Sequence, residues 1–208
     1  MIEFFSANTP NGWKISIMLE EINFDYKITK VDIGKDEQFA PNFLKISPFG
    51  KIPVIIDHDN NKSVFESGAI LMYLADKSGK FYDQEDRLII NQWLMAQMGT
   101  VGPMIGQHHQ FHHYNSGKSK FGEERYFKIT KRLYGELDNR LAVSKFLSGS
   151  KYTIADIATW PWIARHEWHD IGLKNYKNLS RWYSEIAERE AVIKGYSFMD
   201  KNAQIPKP

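Results

Sequence analysis

Three short stretches carry side chains whose types and spacing can do chemistry. Thr9-Pro10-Asn11-Gly12 lies where a strand-like apolar run hands over to an amphipathic segment. A hydroxyl and an amide there can each donate to an anion, and a helix N-terminus adds about half a positive charge. The plainer alternative is that Thr9 or Asn11 only caps the helix, with Pro10 or Gly12 in its first turn. Glu66-Ser67 stands at a second helix start, where the hydroxyl and free backbone N–H groups suit a carboxylate and the Glu suits an ammonium. Taken alone, such a pair is an ordinary cap. The run from Gln107 to His113 sets His108 with His112, and His109 with His113, at i, i+4, a spacing that can hold a metal from one helix face. No carboxylate stands at the position that zinc hydrolases use, so metal, pocket wall and solvated face all remain open readings. The chain has no Cys at all, which removes disulfides, thiolate metal sites and a protein thiol nucleophile. Any thiol chemistry here must use a borrowed thiol.

The elements that must hold these residues follow from periodicity. Residues 2–6 and 26–31 have strand composition, and between them Trp13 to Ile22 places Ile15, Met18, Leu19 and Ile22 on one helical face. A polar stretch, a short helix candidate at Pro41 to Ile46, the turn SPFGKIP and a hairpin of VIID and KSVF come next. The run Gly68 to Lys77 is helical, with Gly79 as its stop. From Gln84 onward no strand pattern recurs, and residues 84–107, 120–142, 154–171 and 177–190 show helical periodicity. The fold class expected is therefore α/β plus all-α, with a first domain at 1–80 and a helical domain at 84–208. Within the latter, Thr153 and Asp156 form a capping box, a structural rather than catalytic pair. Trp160, Trp162, Trp168 and Trp182 are expected in the core.

Composition narrows the function classes. Hydrophobic residues at 42% and charged residues at 25% describe a globular chain, and 14% aromatics suffice to line a pocket. The net charge of +2 is spread without a basic block, which argues against nucleic acid. The N-terminus MIEFFSANTP lacks a basic leader pattern, and no stretch approaches the ~18 apolar residues of a membrane helix. A cytoplasmic chain with no membrane partner is expected.

With TPNGWKISIMLEE, SPFGKIPVIIDHD, FESGAILMYLADKSG, GPMIGQHHQFHH and TIADIATWPW in view, the chain resembles the glutathione transferase superfamily over nearly its whole length. Within it, the chain looks like the nu class, which includes bacterial glutathione-dependent disulfide-bond oxidoreductases and is similar to the globular domain of a yeast nitrogen-regulator prion protein. The resemblance implies a thioredoxin-like N-terminal domain, a C-terminal helical bundle, a symmetric homodimer, and glutathione as co-substrate with no metal. It implies a cis Ile52–Pro53 bond that turns the Ile52 backbone toward the cysteinyl unit. Glu66 and Ser67 then take the γ-glutamyl end, Lys51 and Gln38 the glycyl carboxylate, and Arg132 reaches in from a second-domain helix. For Lys51, Gln38 and Arg132 a solvated surface role stays open.

Other classes of the superfamily activate the thiol with Tyr, Ser or Cys near the end of the first strand. Here Phe4 and Phe5 stand there, with Ser6 nearby, leaving Thr9 and Asn11 as the catalytic pair. Lowering a thiol pKa from ~8.5 to ~6.5 raises its ionised fraction at pH 7 from ~3% to ~75%, for ~2.7 kcal/mol. A few charge-assisted hydrogen bonds reach that magnitude without a general base. The resemblance sets the histidine run at the pocket mouth, with His108, His109, Phe111 and His112 as its substrate wall. The function expected is glutathione-dependent disulfide reduction; the rivals are conjugation to electrophiles or hydroperoxide reduction, a non-catalytic glutathione-binding regulator, and a metal-binding protein using the histidine run. The tail SFMDKNAQIPKP either folds back or is loose.

Overall fold

A computed structural model describes residues 1–208. The chain divides into two compact units, one of Met1–Lys80 with Glu190–Gln204 and one of Phe81–Arg189 with Ile205–Pro208.

The first unit is built on a four-stranded sheet in the order β2-β1-β3-β4, with β1 Ile2–Ser6, β2 Tyr26–Lys30, β3 Val54–Asp57 and β4 Lys62–Phe65. β1 runs parallel to β2 and antiparallel to β3, and β3 and β4 form an antiparallel hairpin. The parallel pair requires a crossover, which is α1, Pro10–Ile22. α1 starts three residues before the expected Trp13 because Thr9 caps it, accepting from the Gly12 N–H at 3.2 Å, with Pro10 in the first turn. A short α2, Pro41–Leu44, precedes the SPFGKIP turn, and α3, Ser67–Ser78, follows the hairpin. Ile52–Pro53 is cis.

The expected boundary of the helical domain shifts. Residues 190–204 join the first unit, where α9, Glu190–Tyr196, packs on α1. The close approach needs Gly195, since a Cβ there would lie 2.6 Å from the Ile17 backbone. Ser16 Oγ donates to the Gly195 carbonyl at 2.6 Å, and the Trp13 and Tyr196 rings meet at 4.4 Å. The tail beyond is not loose, for Phe198 stacks on buried Phe4 at 5.5 Å.

In the second unit, α4 Arg87–Ala96 runs through a π turn, Gln97–Val101, into α5 Gly102–His108 and a second π turn, His109–Tyr114. The helix expected at 84–107 thus starts later and runs further. The first π turn ends just before Pro103, whose missing N–H leaves no i−4 donor for the Gly99 carbonyl. α6 is Lys120–Val143, α7 Ile154–Ile163 and α8 Lys177–Ala187. The helix expected at 154–171 stops at Ile163, where Ala164 (ψ −7°) and Arg165 (φ −97°, ψ 19°) leave α-helical geometry, and a separate 3-10 turn, His166–Trp168, follows. No helix is long and apolar enough to cross a membrane.

Candidate functional site

A cavity of about 120 Å³ opens in the first unit, lined in part by Asn11, Lys51, Ile52, Pro53, Glu66 and Ser67. Six residues singled out from three separate stretches therefore meet at one place. Ser47, Phe49 and Phe65 complete its wall.

Each group is held from behind. Ile52 packs against the buried cluster Val31, Phe43 and Val54, which fixes the segment entering β3. Ser47 pins the turn before it, donating from Oγ to the Lys51 carbonyl at 2.7 Å and accepting from the Lys51 N–H at 3.0 Å. At the α3 start, Glu66 takes φ 69° and ψ 116°, a strained backbone for a residue with a Cβ. That geometry leaves Glu66 exposed while Ser67 is buried. On the opposite wall, the turn before α1 is clamped by Trp13 Nε1, which donates to Asn8 Oδ1 at 2.8 Å. Gly12 is required in that turn, because a Cβ would come within 2.5 Å of the Ala7 carbonyl and Ser6 Oγ.

Thr9 and Asn11 stand in this turn, Thr9 as the cap and Asn11 on the cavity wall. Gln38 does not line the cavity. It is buried in a 3-10 turn, with Nε2 directed at Asp36 Oδ1 at 3.4 Å, because the turn at 37–39 folds it inward. Arg132 lies on α6 of the second unit and is exposed.

Behind Ser67 sits a residue that the helical pattern of α1 gives no reason to single out. Lys14 is 1% exposed, and its Nζ lies 3.3 Å from Ser67 Oγ. Burial pushes the ammonium pKa well down, while the nearby Glu66 carboxylate pulls it up. Lys14 is the one basic residue of α1, which also carries Asn11, Ser16, Glu20 and Glu21, so the sequence does not set it apart.

The histidine run is a correction. His108 and His109 are enclosed inside the second unit rather than exposed along a wall, and only Phe111 and His112 are half-buried. His108 Nε2 donates to the His169 carbonyl at 3.0 Å. The Tyr134 hydroxyl donates to His169 Nδ1 at 2.5 Å, and His169 Nε2 then donates to His109 Nε2 at 2.7 Å. The reverse direction would leave the phenolic proton without an acceptor. Burial holds His108 and His169 below the usual histidine range and brings His109 down to about 3, so these rings are neutral. His108 stacks on His112, and His113 stacks on Trp168 at 4.0 Å, so the run is bound by ring contacts. No group of three or more histidine or acidic side chains is arranged to hold a metal ion.

The cavity thus offers an amide and a helix N-terminus on one side, a carboxylate and a hydroxyl at a second helix N-terminus, and an ammonium at Lys51. Between them lies the Ile52 backbone, just before the cis bond to Pro53. Such a set suits an extended, zwitterionic peptide with carboxylates at both ends.

Comparison with known proteins covers both units. The family described as Glutathione S-transferase, N-terminal domain matches residues 2–76, and Glutathione S-transferase, C-terminal domain matches residues 95–190. Disulfide-bond oxidoreductase YfcG of Escherichia coli (strain K12) is 46% identical over 199 residues, covering 92% of this chain and 93% of its own. Disulfide-bond oxidoreductase YghU of the same organism is 38% identical over 213 residues, covering 93% of this chain and 73% of its own. The crystal structure of a glutathione transferase from Burkholderia graminis, with two glutathione molecules bound per subunit, aligns with a TM-score of 0.90 at 37% identity, covering 97% of this chain and 89% of that one.

Proposed function

We propose that this chain, which belongs to the glutathione S-transferase family, binds glutathione in the cavity of its first unit and uses that molecule's own thiolate to reduce disulfides. The observation that carries the reading is the convergence of Asn11, Lys51, Ile52, Glu66 and Ser67 on one cavity in a chain without cysteine. Each chemical group of glutathione has a complement there. The γ-glutamyl carboxylate meets Ser67 and the α3 N-terminus, its ammonium meets Glu66, the cysteinyl amide pairs with Ile52, and the glycyl carboxylate meets Lys51.

The thiol then falls to the turn at 9–12, where Thr9 and Asn11 donate to the sulfur and the α1 dipole favours the anion. In the first step the glutathione thiolate attacks one sulfur of the substrate disulfide. The substrate S–S bond breaks, one substrate thiolate leaves and takes a proton, and a mixed disulfide remains. A second glutathione thiolate attacks the glutathione sulfur of that mixed disulfide, releasing the second substrate thiol and forming glutathione disulfide. Two glutathiones are oxidised and one substrate disulfide is reduced. Support for disulfide substrates comes from the two Escherichia coli relatives and their names, and support for two thiols from the Burkholderia graminis structure.

The test is steady-state reduction of a small model disulfide by glutathione, run beside conjugation of an aromatic electrophile on the same preparation. Fast disulfide turnover with weak conjugation is expected. Conjugation without disulfide turnover would reassign the substrate class, and binding of glutathione without either reaction would make the chain a non-catalytic binder. A symmetric, cytoplasmic homodimer belongs to the same reading, and sedimentation equilibrium measures the assembly.

A further inference from the structure

Ser47 stands at the head of the SPFGKIP turn and is 1% exposed. The turn itself closes through the backbone, the Gly50 N–H donating to the Ser47 carbonyl at 2.9 Å. The hydroxyl reaches one residue further. Its Oγ donates to the Lys51 carbonyl at 2.7 Å and accepts from the Lys51 N–H at 3.0 Å. Both polarities are forced, because a backbone carbonyl only accepts and a backbone N–H only donates. With its single proton committed to Lys51, Ser47 has no donor left for a ligand, although it stands on the cavity wall. What it does there it does through Lys51.

The consequence falls on the next residue. The Lys51 carbonyl and the Ile52 N–H belong to one planar peptide unit, and that unit is trans, since the cis bond lies at Ile52–Pro53. In a trans unit the carbonyl and the N–H point in opposite directions. Fixing the carbonyl on Ser47 therefore fixes the Ile52 N–H away from Ser47. No backbone carbonyl accepts from that N–H, and Ile52 lies before β3, outside the sheet ladder. The Ile52 side chain is committed to Val31, Phe43 and Val54, which leaves its backbone to face the cavity it lines.

We infer that Ser47 is a positioning residue of the glutathione pocket: by holding the Lys51 carbonyl it aims the Ile52 N–H at the cysteinyl carbonyl of glutathione, and so anchors the residue that carries the thiol. The inference rests on the glutathione reading above.

The experiment combines amide hydrogen exchange by NMR with calorimetric binding, on wild type and Ser47→Ala. Two ligands are compared: glutathione, and an analogue with an (E)-alkene in place of the cysteinyl–glycine amide, which lacks the cysteinyl carbonyl. In the free wild type the Lys51 amide, already bonded, is expected to exchange at least about 10-fold more slowly than the Ile52 amide. Saturating glutathione is expected to slow the Ile52 amide about 10-fold or more, and the analogue to leave it unchanged. In Ser47→Ala the Lys51 amide is expected to lose its protection and glutathione affinity to fall about 10-fold, while affinity for the analogue changes less than about 2-fold. A serine that served stability alone would weaken both ligands alike. Should Ser47→Ala fail to fold, Ser47→Gly takes its place in the same comparison. An Ile52 amide that bound glutathione leaves unprotected, equal losses for the two ligands, or no loss for either, overturns the inference while leaving glutathione binding in the cavity intact. A wild type that binds no glutathione overturns the pocket reading and the inference with it.

Discussion

Thr9 caps α1, and the proposed function asks the same hydroxyl to hold a thiolate. Its oxygen accepts from the Gly12 N–H at 3.2 Å, which uses a lone pair and leaves the proton to donate. Capping the helix and holding a thiolate are thus compatible, and the two readings of this residue in the sequence stop being rivals. Thr9→Ala should cost about 1 kcal/mol of unfolding free energy through the lost cap, as well as turnover, while Thr9→Ser should retain both. Asn11→Ala removes a donor on the cavity wall, and a charge-assisted hydrogen bond of its kind is worth about 1.5–3 kcal/mol. Disulfide-reduction kcat/KM should therefore fall roughly 10- to 100-fold, read by steady-state kinetics beside denaturant unfolding of the same variants. An Asn11→Ala enzyme at wild-type rate would remove Asn11 from the thiolate site. At this scale, Lys51, Ile52, Pro53, Glu66 and Ser67 stand in compact motifs that the sequence displays, and the structure brings them to one cavity. Ser47 read only as a turn former, although its hydroxyl holds the Lys51 backbone. Lys14 was not legible, because its partner lies 53 residues away and only the fold brings them together.

The capping box before α7 shows how much one element start can carry. Asp156 accepts from the Thr153 and Leu147 N–H groups and from Trp182 Nε1, all in the interior. One carboxylate thus ties α7 to the loop before it and to α8. Asp156→Ala would strand those donors in a dry site, and a loss of about 3 kcal/mol is expected in denaturant unfolding, against about 1 kcal/mol for Thr153→Ala. Equal, small losses would reduce the box to a local cap. This element start was readable because its signature lies within four residues. The ends of elements were less so. The backbone leaves helical geometry at Ala164 and Arg165, which ends α7, and π turns at 97–101 and 109–114 interrupt a run that reads as one helix. The assignment of α9 to the first unit depends on Gly195 meeting Ile17, a contact that no local pattern encodes.

At the scale of the whole molecule, the second unit buries a set of neutral histidines, two of them from the run at 107–113. His108, His109, His166 and His169 are all held below their ordinary value of 6.5 by burial. The unfolded chain therefore binds more protons than the folded one once pH falls below about 6.5. The stability carried by the neutral rings is complete above that pH and is lost progressively as pH falls toward the folded-state values, about 3 for His109. Each such ring contributes up to about 1.4 kcal/mol per pH unit in that range. The Tm should drop steeply between pH 7 and pH 5 in scanning calorimetry, and a flat profile would mean that these rings are not buried neutral. The central claim, however, concerns the first unit: a chain with no cysteine activates a thiol that it borrows. Ultraviolet titration of the thiolate of glutathione bound to the wild-type protein tests this most directly. The account predicts ionisation about 2 pH units below that of free glutathione, with most of the shift gone in the Thr9→Ala, Asn11→Ala double variant. A bound thiol that titrates with the free one would contradict it.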